Sequence, residues 1–176
     1  MNTNKNLSQH IKIRPLTTSD YPTVLKWSQD AAFCSANGWQ LNRSPEELYR
    51  WWLKCVSNVS KNFIRMGIEF NKKLVGYADL ACINDKSAEL GIAIGESQLW
   101  GKGIGYYSAI CMIEFASQRL GVTTFNAETH EANVRSRKML EKLGFEEISR
   151  LGIEEYLGKN SQLIQYKLST EELWKC

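Results

Sequence analysis

The chain has 176 residues, 43% hydrophobic and 23% charged, and its 22 Lys and Arg against 19 Asp and Glu give a formal net charge of +3. These values are those of an ordinary globular domain, and they exclude a disordered chain and a collagen-like repeat. A charge so close to balance, with no basic run, predicts no nucleic-acid partner.

The five cysteines favour a reducing compartment. Their number is odd, no two have C-x-x-C spacing, and only His10 and His130 are available to join them. This pattern argues against a disulfide framework and against a zinc site. The polar N-terminus lacks the apolar core of a secretory signal, and no apolar run approaches the roughly 18–20 residues that span a bilayer. We therefore expect a cytoplasmic protein without a metal or a membrane partner.

The N-terminal half predicts a strand, two helices and three further strands. Residues 1–9 are polar and are predicted to be a flexible N-terminus. Residues 10–14 alternate as in a strand. One helix is expected from Thr17, and another follows the capping box at 44–47. An antiparallel meander is then predicted from three alternating segments at 63–70, 74–82 and 88–94.

The C-terminal half predicts a helix, a strand, a second helix and two closing strands. Their ranges are 104–120, 122–129, 134–143, 145–150 and 163–168. No linker or repeat divides the chain, so we expect one domain over 10–168 and a tail over 169–176. The order of elements predicts an α+β fold around one mixed sheet.

A glycine-rich loop joins the meander to the next helix, with the sequence Trp100-Gly101-Lys102-Gly103-Ile104-Gly105. Consecutive backbone N–H groups at a helix N-terminus form a site for a pyrophosphate. An ordinary turn explains the same glycines, and the two readings remain open at this point. A Walker loop is excluded, because Gly103 rather than Ser or Thr follows Lys102.

The strand before this loop has two unlike faces. Leu90, Ile92 and Ile94 share one face, whereas Gly91, Ala93 and Gly95 give the other face small residues only. Glycines inside a strand indicate close approach by a ligand or by another backbone. Close packing under a helix is the alternative.

Two polar residues are predicted on the buried face of the last helix. Ser136 continues the apolar stripe of Met139, Leu140 and Leu143, and Asn133 lies one turn earlier. The cationic residues of this helix are expected to point to water. A cap by Asn133 and a bond from Ser136 to its own helix are the structural alternatives to a binding role.

Together, the glycine-rich loop and the segment from Asn133 to Phe145 resemble the Gcn5-related N-acetyltransferase (GNAT) superfamily over roughly residues 10–168. Trp100 at the start of the loop resembles the RimJ/RimL subgroup. The resemblance implies a mostly antiparallel sheet of about seven strands flanked by about four helices. It also implies acetyl-CoA as co-substrate, bound by Asn133, by Ser136 and by two backbone segments: Ile92, Ala93 and Ile94, then Trp100, Gly101, Lys102, Gly103, Ile104 and Gly105.

The resemblance implies different catalytic residues from those of many family members. Those members carry a tyrosine acid seven residues after the asparagine, where this chain has Leu140. Ser136 matches a serine that assists the departing thiolate in RimL-like enzymes. Glu155 and Tyr156 match a Glu-Tyr pair of RimL-like enzymes, in which the glutamate pairs with that serine, and Glu128 matches the base of RimI-like enzymes. Ser136 favours Glu155; Asp79 and Glu89 are weaker candidates.

The expected reaction is transfer of an acetyl group to a primary amine, either a protein N-terminus or a small molecule. A non-catalytic acyl-CoA sensor is the alternative function. The resemblance also makes a homodimer plausible. Aromatic residues of the N-terminal helices, such as Trp27, Trp51 and Trp52, are read either as core or as a wall of the acceptor site.

Overall fold

The computed structural model describes residues 7–57 and 60–170; the predictions for residues 1–6 and 171–176 lie outside these ranges. Among the described residues there are five α-helices: α1 Tyr21–Trp27, α2 Ala31–Asn37, α3 Pro45–Ser57, α4 Ile104–Leu120 and α5 Val134–Lys142. The eight strands are β1 Ile11–Arg14, β2 Ile64–Phe70, β3 Lys73–Ala81, β4 Ser87–Ile94, β5 Thr124–His130, β6 Glu146–Ser149, β7 Ile153–Tyr156 and β8 Lys159–Ser169.

The strands form one mixed, mostly antiparallel sheet in the order β1-β2-β3-β4-β5-β8-β6, with β7 paired to β8. The only parallel pair in the described sheet joins β4 to β5, and α4 makes the crossover between them. This confirms the predicted fold class.

Two apolar clusters lie on opposite faces of the sheet. The larger one packs α4 and α5 against the strands around Ile68, Leu80 and Phe125, all fully buried. The smaller one packs α1, α2 and α3 against β3 and β4 around Trp27, Phe33 and Trp52. The aromatic residues of the N-terminal helices therefore form a core.

The structure has one more helix and one more strand than the sequence predicts. Helix α2 spans only 7 residues, begins at an Asp30 cap and ends at Gly38, so its apolar stripe is too short to stand out. Strand β7 has 4 residues and presents three exposed side chains, which hides its alternation. Strand β8 runs to Ser169, and Thr170 after it donates a hydrogen bond to the Thr123 carbonyl.

Candidate active site

A cleft opens where the parallel strands β4 and β5 separate. They pair only from Ser87 to Glu89 with Thr124 to Asn126, and beyond that point β4 has no partner on its β5 side. The second half of β4 up to Ala93 therefore presents a free backbone edge to the cleft. A ligand with amide groups can complete such an edge by hydrogen bonds.

The glycine-rich loop closes one end of this cleft and begins α4. Gly103 is the N-cap of α4 with φ of +85°, a conformation that L side chains rarely adopt, and no side chain caps the helix. The Trp100 indole N–H donates to the Ile94 carbonyl at 2.8 Å and so fixes the loop to β4. The first N–H groups of α4 remain directed at the cleft, which is the arrangement that binds anions.

The larger cavity of the cleft has a volume of about 390 Å³ and a cationic rim, and we call it the basic cavity. Its lining includes Arg135, Lys138 and Lys142 of α5, with no carboxylate among the described residues that line it. The Arg135 guanidinium lies 4.4 Å from the Trp100 ring centre and the Lys142 ammonium 4.2 Å from that of Tyr106. These cations are exposed, as the sequence predicts, and they also border the cleft.

Most of the predicted binding residues meet in this cavity. The lining includes Ile92, Ala93 and Ile94 from β4, Trp100, Gly101, Gly103, Ile104 and Gly105 from the loop, and Asn133 and Ser136 from α5. Lys102 is exposed and does not line it. A Cβ on Gly105 would lie 3.3 Å from the Met139 sulfur, so glycine keeps this wall open.

A second cavity of about 230 Å³ continues the cleft between β4 and β5, and we call it the acidic cavity. Glu128 and Glu154 line it, and no Lys or Arg does among its described residues. The Gln165 side-chain amide donates to the Glu128 carboxylate at 2.7 Å and to the Leu151 carbonyl at 2.8 Å. Gln165 therefore holds Glu128 in a defined position beside the cavity.

Asn133 and Ser136 line both cavities and mark their junction. The Asn133 carbonyl oxygen accepts from the Ser136 N–H at 3.2 Å, so Asn133 caps α5 as well as lining the cleft. The Ser136 hydroxyl has no hydrogen bond within the described part of the chain, including to its own helix. It is therefore available to a ligand that spans the junction.

The structure does not bring Glu155 to the cleft. A two-residue turn joins β7 to β8 with Tyr156 opposite Lys159, and both turn residues, Leu157 and Gly158, have positive φ. This register turns Glu154 and Tyr156 to the same side of β7, and Glu155 to the other, because side chains alternate along a strand. Glu154 lines the acidic cavity and Tyr156 the basic one, whereas Glu155 lines neither.

The C-terminal end of α2 covers both cavities through Ala36 and Asn37. Asp30 caps this helix, and its carboxylate accepts from the Phe33 N–H at 3.0 Å and from the Ser97 hydroxyl at 2.9 Å. The bond from the Phe33 N–H, followed by smaller contributions that include the one from Ser97, lowers the pKa of Asp30 below its ordinary value. Asp30 therefore links the cover of the cleft to the segment that leads into the glycine-rich loop.

Of the two weaker acidic candidates, Asp79 forms an ion pair and lines neither cavity. Its carboxylate pairs with Arg65 at 2.6 and 2.7 Å, and the Arg65 guanidinium lies 4.3 Å from the Tyr77 ring centre. Burial alone would lower the pKa of Arg65, but the bonds and the charge of Asp79 outweigh it and raise that pKa. Glu89, the other candidate, is exposed at the last position where β4 pairs with β5.

Within residues 7–57 and 60–170 no group of three or more potential ligands could hold a metal ion. The described cysteines, Cys34, Cys55, Cys82 and Cys111, are all free thiols. None of the helices in the same ranges is long and apolar enough to cross a bilayer.

Comparison with known proteins adds to this picture. A family model for the acetyltransferase (GNAT) domain matches residues 10–146. An uncharacterised protein of Methanocaldococcus jannaschii is 30% identical over 144 residues, which are 80% of this chain and 29% of that protein. Human alpha/beta-tubulin-N-acetyltransferase 9 is 26% identical over 141 residues, which are 77% of this chain and 58% of that protein.

The chain thus spans 29% and 58% of the lengths of these two relatives. Among solved structures, the spermidine N-acetyltransferase from Vibrio cholerae in complex with CoA and spermine has a TM-score of 0.79 at 20% identity. The match covers 93% of this chain and 97% of that one. At this level of identity the likeness is one of fold.

Proposed function

This chain belongs to the GNAT acetyltransferase family, and on that premise we propose that it transfers the acetyl group of acetyl-CoA to a primary amine. The observation that carries the proposal is the junction at Ser136, where a cavity suited to an anion meets one suited to a cation. A reaction between a polyphosphate thioester and an amine needs these two environments side by side.

The basic cavity fits acetyl-CoA. The uncapped N-terminus of α4 offers N–H groups to the pyrophosphate, and the cationic rim with Arg135 and Lys142 offers charge to the phosphates. The free edge of β4 offers hydrogen bonds to the two amides of the pantetheine arm. We assign the pyrophosphate to the loop and the thioester end to Ser136, at the far end of the same cavity.

The acidic cavity fits an amine. Glu128 and Glu154 attract an ammonium, which must lose a proton before its lone pair can attack a thioester. We propose Glu128 as the base, acting directly or through water, because Gln165 holds its carboxylate at 2.7 Å. Glu154 is the alternative from the same cavity. The prediction for Glu155 stays a prediction, and the register of β7 does not support it.

The amine then forms a C–N bond at the acetyl carbonyl carbon, and the C–S bond breaks. Negative charge develops first on the carbonyl oxygen and then on the sulfur, so donors placed there stabilise the transition state more than the ground state. The Ser136 hydroxyl has no partner in the described structure and is our first candidate for such a donor. The pair of Ser136 and Leu140 supports placement in the RimJ/RimL-like subgroup.

Thiol release and calorimetry test this proposal together. The purified protein is titrated with acetyl-CoA, and free thiol is then measured with a panel of amines: spermidine, putrescine, lysine and peptides with free N-termini. We expect micromolar binding and thiol release with at least one amine. Binding without thiol release for any amine would instead make the protein an acyl-CoA sensor, and absence of binding would overturn both functions.

A further inference from the structure

The structure points to a second proton donor in the cleft, on β7. Resting on the proposed function, we propose that the Tyr156 phenol, on β7, is the group that protonates the departing thiolate, whereas the Ser136 hydroxyl donates only a hydrogen bond to the reacting group. Tyr156 is only 5% exposed, and it lines the basic cavity.

The Tyr156 hydroxyl has no hydrogen-bond partner within the described part of the chain. The hydroxyl is not among the fully enclosed unpartnered atoms, which include the Tyr166 hydroxyl. The phenol of Tyr156 therefore opens to the cavity, where a bound molecule can satisfy it.

The ring of Tyr156 is held by a stack on a neighbouring imidazole. It stacks on the His130 imidazole with 4.9 Å between ring centres and 27° between planes. His130 lines the acidic cavity, and its backbone carbonyl accepts from the Asn133 N–H at 2.9 Å. The stack thus connects β7 to the start of α5, the turn that carries Ser136.

Position 140 cannot supply this proton. Leu140 is 3% exposed and its side chain carries no acidic hydrogen, so α5 provides only the Ser136 hydroxyl at the junction. A phenol has a pKa of about 10 and a thiol about 8.5, whereas an aliphatic hydroxyl is a far weaker acid. Proton transfer is efficient when donor and acceptor have similar pKa values. By this criterion a phenol is the better donor.

The step balances without a further reactant. As the C–S bond breaks, the electron pair goes to sulfur, and the phenol O–H proton moves to that sulfur to give the free thiol. The tyrosinate then regains a proton, through water, from the amine nitrogen that has just formed the amide. The net reaction is amine plus acetyl thioester to amide plus thiol.

Tyr156→Phe tests the proposal with little risk to folding, because it keeps the ring and its stack on His130. We expect kcat to fall about 10- to 100-fold, with a change in acetyl-CoA affinity below about 3-fold. Ser136→Ala should lower kcat less. Tyr21→Phe, which loses only a remote bond to the Pro45 carbonyl, is the control.

A binding measurement separates this proposal from the proposed function. Calorimetry at pH 9 compares CoA with desulfo-CoA on wild type and on Tyr156→Phe. We expect wild type to prefer CoA and the variant to lose that preference, whether or not any amine gives turnover. An unchanged preference in Tyr156→Phe, or an unchanged kcat in an active enzyme, would overturn the assignment of Tyr156. Absence of thiol release from wild type with every amine contradicts only the proposed function.

Discussion

The basic and acidic cavities share a junction but differ in origin and charge. The basic cavity is built around one continuous stretch, the end of β4 followed by the glycine-rich loop and the first turn of α4. The acidic cavity is assembled from β4, β5, α5, β7 and β8, and its carboxylates come from β5 and β7. Cations border the first, and carboxylates the second.

In the proposed function, the basic cavity binds the cofactor and the acidic cavity removes a proton from the amine. Backbone N–H groups and a ring of cations bind phosphates strongly without titrating near neutral pH. Proton removal from an amine needs a group that changes charge, and a carboxylate supplies it. We therefore expect substitutions in the basic cavity to alter cofactor affinity and those in the acidic cavity to alter rate and pH dependence.

The largest expected effect is on the base in the acidic cavity. Glu128→Gln should lower kcat/KM near pH 7 by roughly 10²- to 10⁴-fold, because the ammonium form then dominates and cannot attack. The loss should shrink above about pH 9, as amines with pKa values of about 8 to 10.4 lose their own proton. pH–rate profiles with the best amine of the panel measure this.

Glu154→Gln and Glu155→Gln are the matched controls, since one lies in the cavity and the other on the opposite side of β7. A pH-rescued loss in Glu154→Gln alone would move the base to β7. The same loss in Glu155→Gln alone would contradict our reading of the hairpin register. If none of the three shows it, deprotonation proceeds through water and backbone groups.

The second prediction concerns the basic cavity. Gly103→Val should weaken acetyl-CoA binding at least 10-fold, because valine is strained at φ of +85° and its Cβ would lie 3.3 Å from the Leu7 side chain, so the loop must shift. Calorimetry on the folded variant measures the affinity. Gly121→Val imposes similar strain at φ of +70° at the other end of α4, so it should lower stability but keep the affinity. Equal affinities for both variants would remove the loop from the proposed site.

Sequence reasoning reached the basic cavity because its signals are local. The loop glycines, the β4 alternation and the stripe of α5 each lie within a few residues, and the loop conformation follows from glycine itself. The sequence predicts only that the rim cations face water, because their position beside the loop depends on how α5 packs near α4. No periodicity within α5 contains that information.

The acidic cavity was harder to predict, because a strand register decides it. The turn after Tyr156 has Leu157 at φ of +52°, where Asn or Gly is the usual signal of a two-residue hairpin. A shift of one residue would exchange the sides of Glu154 and Glu155. The resemblance names Tyr156 only as the neighbour of Glu155, because its stack with His130 and its burial depend on the fold.

The third prediction tests whether the cationic rim acts through charge. Lys142→Gln should weaken acetyl-CoA binding about 2- to 5-fold at low salt, with the difference fading above about 0.5 M salt, because exposed ion pairs contribute roughly 0.2–1 kcal/mol and are screened. Affinity measured against salt concentration gives the result. The control is Lys26→Gln, an exposed cation on α1 outside both cavities. A loss that persists at high salt would show that packing on Tyr106 matters more than the charge.

The smallest expected effect is on Asp30, which holds the cover that the two cavities share. Because its pKa is lowered in the folded state, its carboxylate stabilises the fold above about pH 4, the pKa of an unfolded Asp, and this contribution is lost as the pH falls through the folded value. Asp30→Asn keeps a cap but removes the charge, so it should lower the free energy of unfolding by a few tenths of a kcal/mol at pH 7. Urea unfolding from pH 7 to pH 3 should show this deficit constant above about pH 5 and shrinking below pH 4, while Asp85→Asn on an exposed turn shows none. A deficit that stays the same at pH 3 would mean that the altered bond to Ser97, and not the charge, is responsible.

In Asp30→Asn, cofactor affinity and kcat should both stay within 2-fold of wild type. If the two fall together, the end of α2 positions both cavities at once.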